Sequence, residues 1–114
     1  GRVAFSNWAN SNNAIFTGLI IPNVYGPFGH PFYNSVIATF CHQVSRNESP
    51  KIDIDGQLKL IYVGELVNEI INSIRNSENN HEKVLNHSTE AKVSEILEKL
   101  LFFISNVIFI LLCI

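Results

Sequence analysis

The residues best placed to do chemistry lie in one run, Pro22-Asn23-Val24-Tyr25-Gly26-Pro27-Phe28-Gly29-His30-Pro31-Phe32-Tyr33-Asn34. Proline fixes φ and glycine lets a backbone approach closely, so carbonyls and amides in this run can be held against a ligand. Asn23 offers both a donor and an acceptor, and Tyr25 and Tyr33 offer phenols. A helix-like segment follows, and its N-terminal amides could meet a phosphate, with Asn34 alongside. This is binding chemistry. A purely structural Pro/Gly turn packed with aromatic rings would show the same spacing.

The other reactive residue types form no constellation. His30 and His42 lie in no HExxH or Cys-pair spacing and have no neighbouring carboxylate to orient them, so they read as surface or packing residues. Cys41 falls in the apolar stripe of its helix and is expected in the core. Asp53, Asp55 and Glu65 are separated by turns, without the logic of a paired acid and base. There is no GxGxxG, no P-loop and no GxSxG. No catalytic residue and no metal ligand set is expected from these residues.

Composition narrows the class further. With 46% apolar and 16% charged residues, the chain is neither disordered nor a charged coiled coil. A net charge of -2 leaves no general basic surface, so nucleic acid is not expected as a partner. Cys41 and Cys113 lie far apart in different contexts, which argues against a disulfide framework and for a reducing cytoplasm. Asn47-Glu48-Ser49 and Asn86-His87-Ser88 fit the glycosylation pattern, as chance matches in an Asn-rich chain. Methionine is absent, and Val3, Ala4, Phe5, Trp8 and Ala9 recur at helical spacing with no N-cap before them. Both features lead us to expect a piece of a longer protein or the product of a broken reading frame.

The elements that must position the loop read as follows. Residues 1–10 are the last turns of an amphipathic helix, closed by Asn10-Ser11-Asn12-Asn13. The apolar run 14–21 reads as a strand buried on both faces, as in a parallel sheet, with a buried helix as rival. Asn34 is the expected N-cap of a helix from Ser35 to about Arg46, with Val36, Ile37, Phe40, Cys41 and Val44 as its apolar stripe. Segments 51–54 and 57–63 read as strands joined by Asp55-Gly56. A helix over 64–76 follows, then a polar loop at 77–82, a short strand at 83–86 and a helix capped by Ser94. The order of elements predicts α/β or α+β. The tail from Leu100 to Ile114 is apolar except for Ser105 and Asn106, and its 15 residues fall short of a bilayer span. It suits a buried helix, a membrane-associated tail or out-of-frame sequence, and does not by itself make this a membrane protein.

Ile21-Pro22-Asn23-Val24-Tyr25-Gly26-Pro27, followed by Asn34-Ser35-Val36-Ile37-Ala38-Thr39-Phe40, resembles the C-terminal part of extended short-chain dehydrogenase/reductases. Within these NAD-dependent nucleotide-sugar epimerases, dehydratases and reductases, it looks most like the capsular-polysaccharide reductase/epimerase subgroup. Tyr62-Val63-Gly64-Glu65 resembles the family's Tyr-Val-Asp-Asp helix opening, and 84–86 with 93–97 its late strand and helix. The likeness covers residues 1–103 and leaves 104–114 as an apolar tail.

The resemblance implies an α/β fold, the C-terminal portion of a Rossmann-like doubly wound sheet plus the small substrate-binding subdomain. It implies NAD or NADP as cofactor and a nucleotide-diphosphate sugar as substrate in the complete enzyme, in polysaccharide biosynthesis, and allows a homodimer. It places Pro22 and Asn23 beside the nicotinamide, and Asn23, Tyr25, Asn34, Ser35 and Val36 against the substrate. The family's Tyr-x-x-x-Lys pair would lie upstream of Gly1, and the Gly-rich loop is absent from these residues. Ile20 and Leu58 stand where many members have arginine, and Gly64-Glu65 replaces the Asp-Asp pair. The expectation is a binding wall without turnover of its own, and a sheet whose strand 14–21 has an exposed edge and poor autonomous stability. The alternative is a small non-enzymatic α/β module that associates with a partner or membrane through its tail.

Overall fold

The computed structural model describes residues 1–113, with side chains described through Val107. Nine elements run α1 (Arg2–Ser11), β1 (Thr17–Ile20), β2 (Asn23–Tyr25), α2 (Val36–Ser45), β3 (Gln57–Tyr62), α3 (Val63–Arg75), β4 (Asn80–Val84), β5 (Thr89–Lys92) and α4 (Val93–Cys113). This is the expected α/β class. β2 and β3 are parallel, with Asn23 opposite Leu60 and Tyr25 opposite Tyr62, while β5 pairs antiparallel on the other edge of β3. β1 and β4 form a separate two-stranded parallel sheet.

Successive residues of a strand face opposite sides, and β3 uses both. Leu60 joins Phe40 of α2, Ala91 of β5, and Val93 and Ile96 of α4 in one buried cluster. Ile61, its neighbour, turns the other way and packs with Leu66 of α3 and Leu85, beside Leu19. The strand therefore binds α2 and α4 to one face of its sheet and α3 to the other.

Both edges of β3 are occupied, which explains why residues 51–54 are not the strand expected from their pattern. Asp55-Gly56 is accordingly no hairpin turn. The Asp55 carboxylate accepts from the Ser94 N–H at 2.8 Å and from its hydroxyl at 2.7 Å, and the Gly56 carbonyl accepts from the Val93 N–H at 3.1 Å. Ser94 lies inside α4 and is not its cap, because its hydroxyl is spent on Asp55. The Glu95 carboxylate instead reaches back to the Lys92 N–H at 2.8 Å.

The backbone hydrogen bond from Ser94, reinforced by the Ser94 hydroxyl, holds the Asp55 carboxyl below its ordinary pKa. A depressed folded-state pKa contributes stability above the unfolded value and loses it as pH falls through the folded value. The stability gap between the native chain and Asp55→Asn should therefore be widest near neutrality. It should close as pH drops below about 4, as read by urea unfolding across that range; a gap independent of pH would refute the role.

Three helices end in the same way. Asn13, Asn47 and Ser77 take positive φ of 51°, 59° and 50° just past α1, α2 and α3. The next residue's N–H returns to a carbonyl five back: Ala14 to Ala9, Glu48 to Gln43 and Glu78 to Ser73, at 2.8–3.0 Å. These are Schellman closures, and glycine is the residue that suits their left-handed position best. Asparagine tolerates it through local hydrogen bonding; serine does so less well. Ser77→Gly should therefore raise the unfolding free energy by about 0.5–1 kcal/mol, measurable by denaturant titration.

The strand expected over 14–21 is shorter and less buried than its hydropathy suggests. Only Thr17–Ile20 is strand, Ile15 is 58% exposed, and β4 is the one neighbour of β1 among the described residues. Gly18 is buried, and a Cβ there would stand 2.6 Å from the His81 carbonyl oxygen, where the β1–β4 register shifts. β4 begins at Asn80, inside the segment expected to be loop, and β5 was not foreseen from the sequence. In α1, only Ala9 is buried; Val3, Phe5 and Trp8 are exposed.

α4 leaves the core after Leu100. Leu97 and Leu100 pack on the main cluster, whereas Leu101, Phe102, Phe103 and Val107 are 47%, 71%, 65% and 38% exposed. Over these residues, the tail is helical without being buried. Expectations for the tail side chains at 108–114 lie outside the described residues. Among the described residues, no helix is long and apolar enough to cross a membrane.

Candidate functional site

Because β2 and β3 run parallel, their carboxyl ends lie side by side, and Tyr25 and Tyr62 close them as a tilted ring pair with centroids 5.7 Å apart. In open α/β sheets that is the end where ligands bind. Here a cleft of about 910 Å³ opens between the two strand ends, the loop 26–34 and the first turn of α2. Pro22, Asn23, Tyr25, Asn34 and Ser35 all line it, as do Phe28 and Tyr33. Five of the six residues singled out for binding are thus brought to one cavity. Val36 is not among its lining residues; its side chain packs on the Phe40 cluster.

The loop is fastened at three points. Gly26 has φ 151°, and a Cβ there would stand 2.4 Å from Val63 Cγ1 at the start of α3. Gly29 lies against Ala38, where an added Cβ would come within 3.0 Å of the Ala38 Cβ. The Phe32 N–H donates to Thr39 Oγ1 at 2.8 Å, and its ring meets His42 edge-on at 5.4 Å. His30 Nδ1 is 2.8 Å from the Pro31 carbonyl, and its ring meets Tyr33 edge-on. His30 is exposed on the cleft wall and His42 is half-buried, and among the described residues no group of three potential metal ligands forms.

The N-cap of α2 is Ser35, one residue after the Asn34 expected from the sequence. Its hydroxyl accepts from the Ala38 N–H at 3.2 Å, and α2 itself begins at Val36. Since the Thr39 N–H already reaches the Ser35 carbonyl, the Val36 and Ile37 amides are the first-turn donors left for another partner. Asn34 stands just outside them on the cleft wall.

Cys41 is not a core residue. It is exposed on α2 and lines the cleft, because the buried stripe of that helix is centred on Phe40 and Val44. Partial burial pushes its thiol pKa up, with a backbone hydrogen bond opposing, so it remains protonated and is a poor nucleophile. Glu65 accepts from the Tyr62 N–H at 3.1 Å and from the Ser88 hydroxyl at 2.6 Å. It caps α3 and ties the β3 end of the cleft to the loop before β5.

A smaller hollow of about 410 Å³ lies between β1 and α3, with Ser73 and Glu78 on its wall. The Lys83 ammonium donates to Glu78 at 2.7 Å and to Ser73 Oγ at 3.0 Å. The hydrogen bond between Lys83 and Glu78 holds the glutamate pKa down and the lysine pKa up. The Ser73 hydroxyl in turn donates to the Glu78 carboxylate at 2.8 Å, so this cluster joins β4 to α3.

Cys41, Tyr62 and Val63 also line the cleft and were not assigned to it from the sequence. The Tyr25–Tyr62 pairing becomes visible only once the β2–β3 register is known.

Comparison with known proteins shows the family and the fold. The family model for the NAD dependent epimerase/dehydratase family matches residues 3–87. Crystal structures of the capsular polysaccharide assembling protein CapF from Staphylococcus aureus superpose on 90% of the chain. One has a TM-score of 0.77 at 29% identity, and a second crystal form has 0.72 at 30%. A UDP-2-acetamido-2,6-beta-L-arabino-hexul-4-ose reductase from Pseudomonas aeruginosa is 38% identical over 48 residues, which is 41% of this chain. The chain spans 29–31% of those CapF chains and 13% of that reductase.

Proposed function

Because the chain belongs to the NAD dependent epimerase/dehydratase family, we propose that its cleft is the substrate- and nicotinamide-facing wall of a nucleotide-sugar reductase or epimerase of polysaccharide biosynthesis. The observation that carries this reading is the convergence, in one cavity, of the β2 strand end, Asn34 and the capped N-terminus of α2. A volume of about 910 Å³ suits a ligand of nucleotide size.

Each residue has a role that its chemistry permits. The Val36 and Ile37 amides are oriented by the Ser35 cap toward a diphosphate, and the helix dipole favours negative charge there. Asn34 adds a side-chain amide beside them. Tyr25 offers its phenol to the sugar at the strand end. Pro22 has no N–H and contributes a carbonyl and a fixed φ, while Asn23 can both donate and accept. Together they suit the carboxamide edge of a nicotinamide, which when bound supplies hydride transfer. The chain contributes binding and orientation in this scheme, whether the cofactor is NAD or NADP.

The test is a titration of the isotopically labelled 114-residue chain with UDP, followed by backbone amide shifts. Movement concentrated at Asn34, Val36 and Ile37 is expected. Saturating UDP without any shift at these positions would overturn the reading. The same protein is expected not to oxidise NADH or NADPH in the presence of UDP-sugars, and measurable turnover would overturn the limitation to binding.

A further inference from the structure

Phe28 takes the third position of the turn at Pro27–Phe28, a left-handed position that glycine or asparagine suits better. Its side chain is fully exposed, at 104% of the reference accessibility, yet its φ is +66°. A lone exposed phenylalanine carries little information. A bulky side chain on left-handed backbone is a genuine outlier, and such strain gathers at ligand clamps. Pro27 fixes φ immediately before it, and the flanking residues Gly26 and Gly29 are pressed against Val63 and Ala38. The Phe32 N–H bond to Thr39 fastens the next turn of the loop. The ring is therefore held at the cleft mouth by anchored neighbours, on the ridge between the cleft and a hollow over the start of α3.

We propose that the Phe28 ring is the outer jaw of the cleft and stacks on the planar heteroaromatic ring of a bound nucleotide. The inference rests on the reading of the cleft as a nucleotide site, and adds the residue that grips the ring. The α2 amides take the phosphates, which leaves the flat end of the nucleotide to lie along the loop. An aromatic face suits that end because stacking requires only a π surface on the ligand. Presenting the ring on a fastened loop lowers the ordering cost of closing on it. The flat ring belongs either to the base of the sugar nucleotide or to the nicotinamide of the cofactor.

The experiment compares UDP and nicotinamide mononucleotide binding to the full chain, with Phe28→Ala, Phe28→Leu and Phe28→Trp as variants. Phe28→Ala should weaken one of the two probes by about tenfold, and the probe affected identifies the ring. Phe28→Leu, which keeps apolar bulk but no π face, should fall close to alanine. Phe28→Trp should bind at least as tightly as the native chain, with its added fluorescence quenched by the ligand. Because the ring touches nothing in the free protein, the unfolding midpoints of these variants should not fall, which separates lost stacking from lost fold. Native affinity for both probes in Phe28→Ala, with amide shifts at Val36 and Ile37 retained, would overturn the jaw while leaving the cleft reading intact. Loss confined to a UDP-sugar, with UDP unaffected, would show that the ring grips the sugar and would also overturn it. No amide shift with either probe would overturn the cleft reading and the jaw with it.

Discussion

Phe40→Ala is expected to lower the unfolding free energy by about 3–5 kcal/mol, and to abolish ligand-induced shifts at the α2 N-terminus with it. Phe40 is 3% exposed and is the buried residue of α2 in the cluster with Leu60, Ala91, Val93 and Ile96, where Val36 and Ile37 pack beside it. Deleting its ring removes transfer free energy and leaves a cavity between the helix and the sheet, and neither neighbour can close it without moving the other. The core has little reserve to absorb this loss. Among the described residues, no large side chain is completely buried, and α1, β1 and the outer part of α4 leave apolar surface exposed. A small domain has a total stability of about 5 kcal/mol at the low end, so the variant should be largely unfolded or open at α2. Phe40→Leu, which keeps most of the volume, should cost less than about 1.5 kcal/mol and retain the shifts. A loss below about 1 kcal/mol in Phe40→Ala, by urea unfolding, would show that α2 is held by something other than this cluster.

The contrast between what was legible in the sequence and what was not has a physical basis. The stripes of α2 and α3 were readable because one face of each helix packs on β3, so burial imposes the 3.6-residue period. The Pro/Gly loop was readable because its residues restrict φ directly, whatever they pack against. β4 and β5 were obscure because they are edge strands: Asn80, His81 and Glu82 are exposed, and Ala91 is the one buried residue of Thr89–Lys92. Edge strands are commonly kept polar, which erases the alternation that reveals a strand. Asp55-Gly56 misled because the same dipeptide serves hairpins and helix caps; pairing of β3 with β5 decides between them. Cys41 adjoins the buried residue of its stripe, and a helical wheel does not say where that stripe ends. Of the cleft, Asn23, Tyr25 and Asn34 were found from the loop itself and Ser35 from the family resemblance, whereas Tyr62 and Val63 reach it through a strand pairing 37 positions away in register.

Gly26→Ala is expected to cost about 2–4 kcal/mol, through two separable effects. A φ of 151° is open to glycine but strained for any residue with a Cβ, which accounts for about 1–3 kcal/mol. The new methyl would also stand 2.4 Å from Val63 Cγ1 and 3.3 Å from the Tyr62 ring, so the β3–α3 junction or the loop must move. Val63→Ala in the same chain removes most of the collision and leaves the backbone strain. The double variant should therefore recover part of the loss attributable to overpacking, after subtraction of the cost of Val63→Ala alone. Recovery of the whole loss would mean that the backbone strain is negligible, and recovery of none that the methyl finds space. The cleft provides a second readout. Gly26 joins the strand end carrying Asn23 and Tyr25 to the loop that carries Phe28, so a displaced junction separates one wall of the cavity from the other. Shifts at Asn23 induced by nicotinamide mononucleotide should then uncouple from those that UDP induces at Val36 and Ile37, even under conditions where the variant remains folded. Shifts that stay coupled in a folded Gly26→Ala chain would place the rigidity of the loop in its contacts with α2, at Gly29 and Phe32, and not at the strand end.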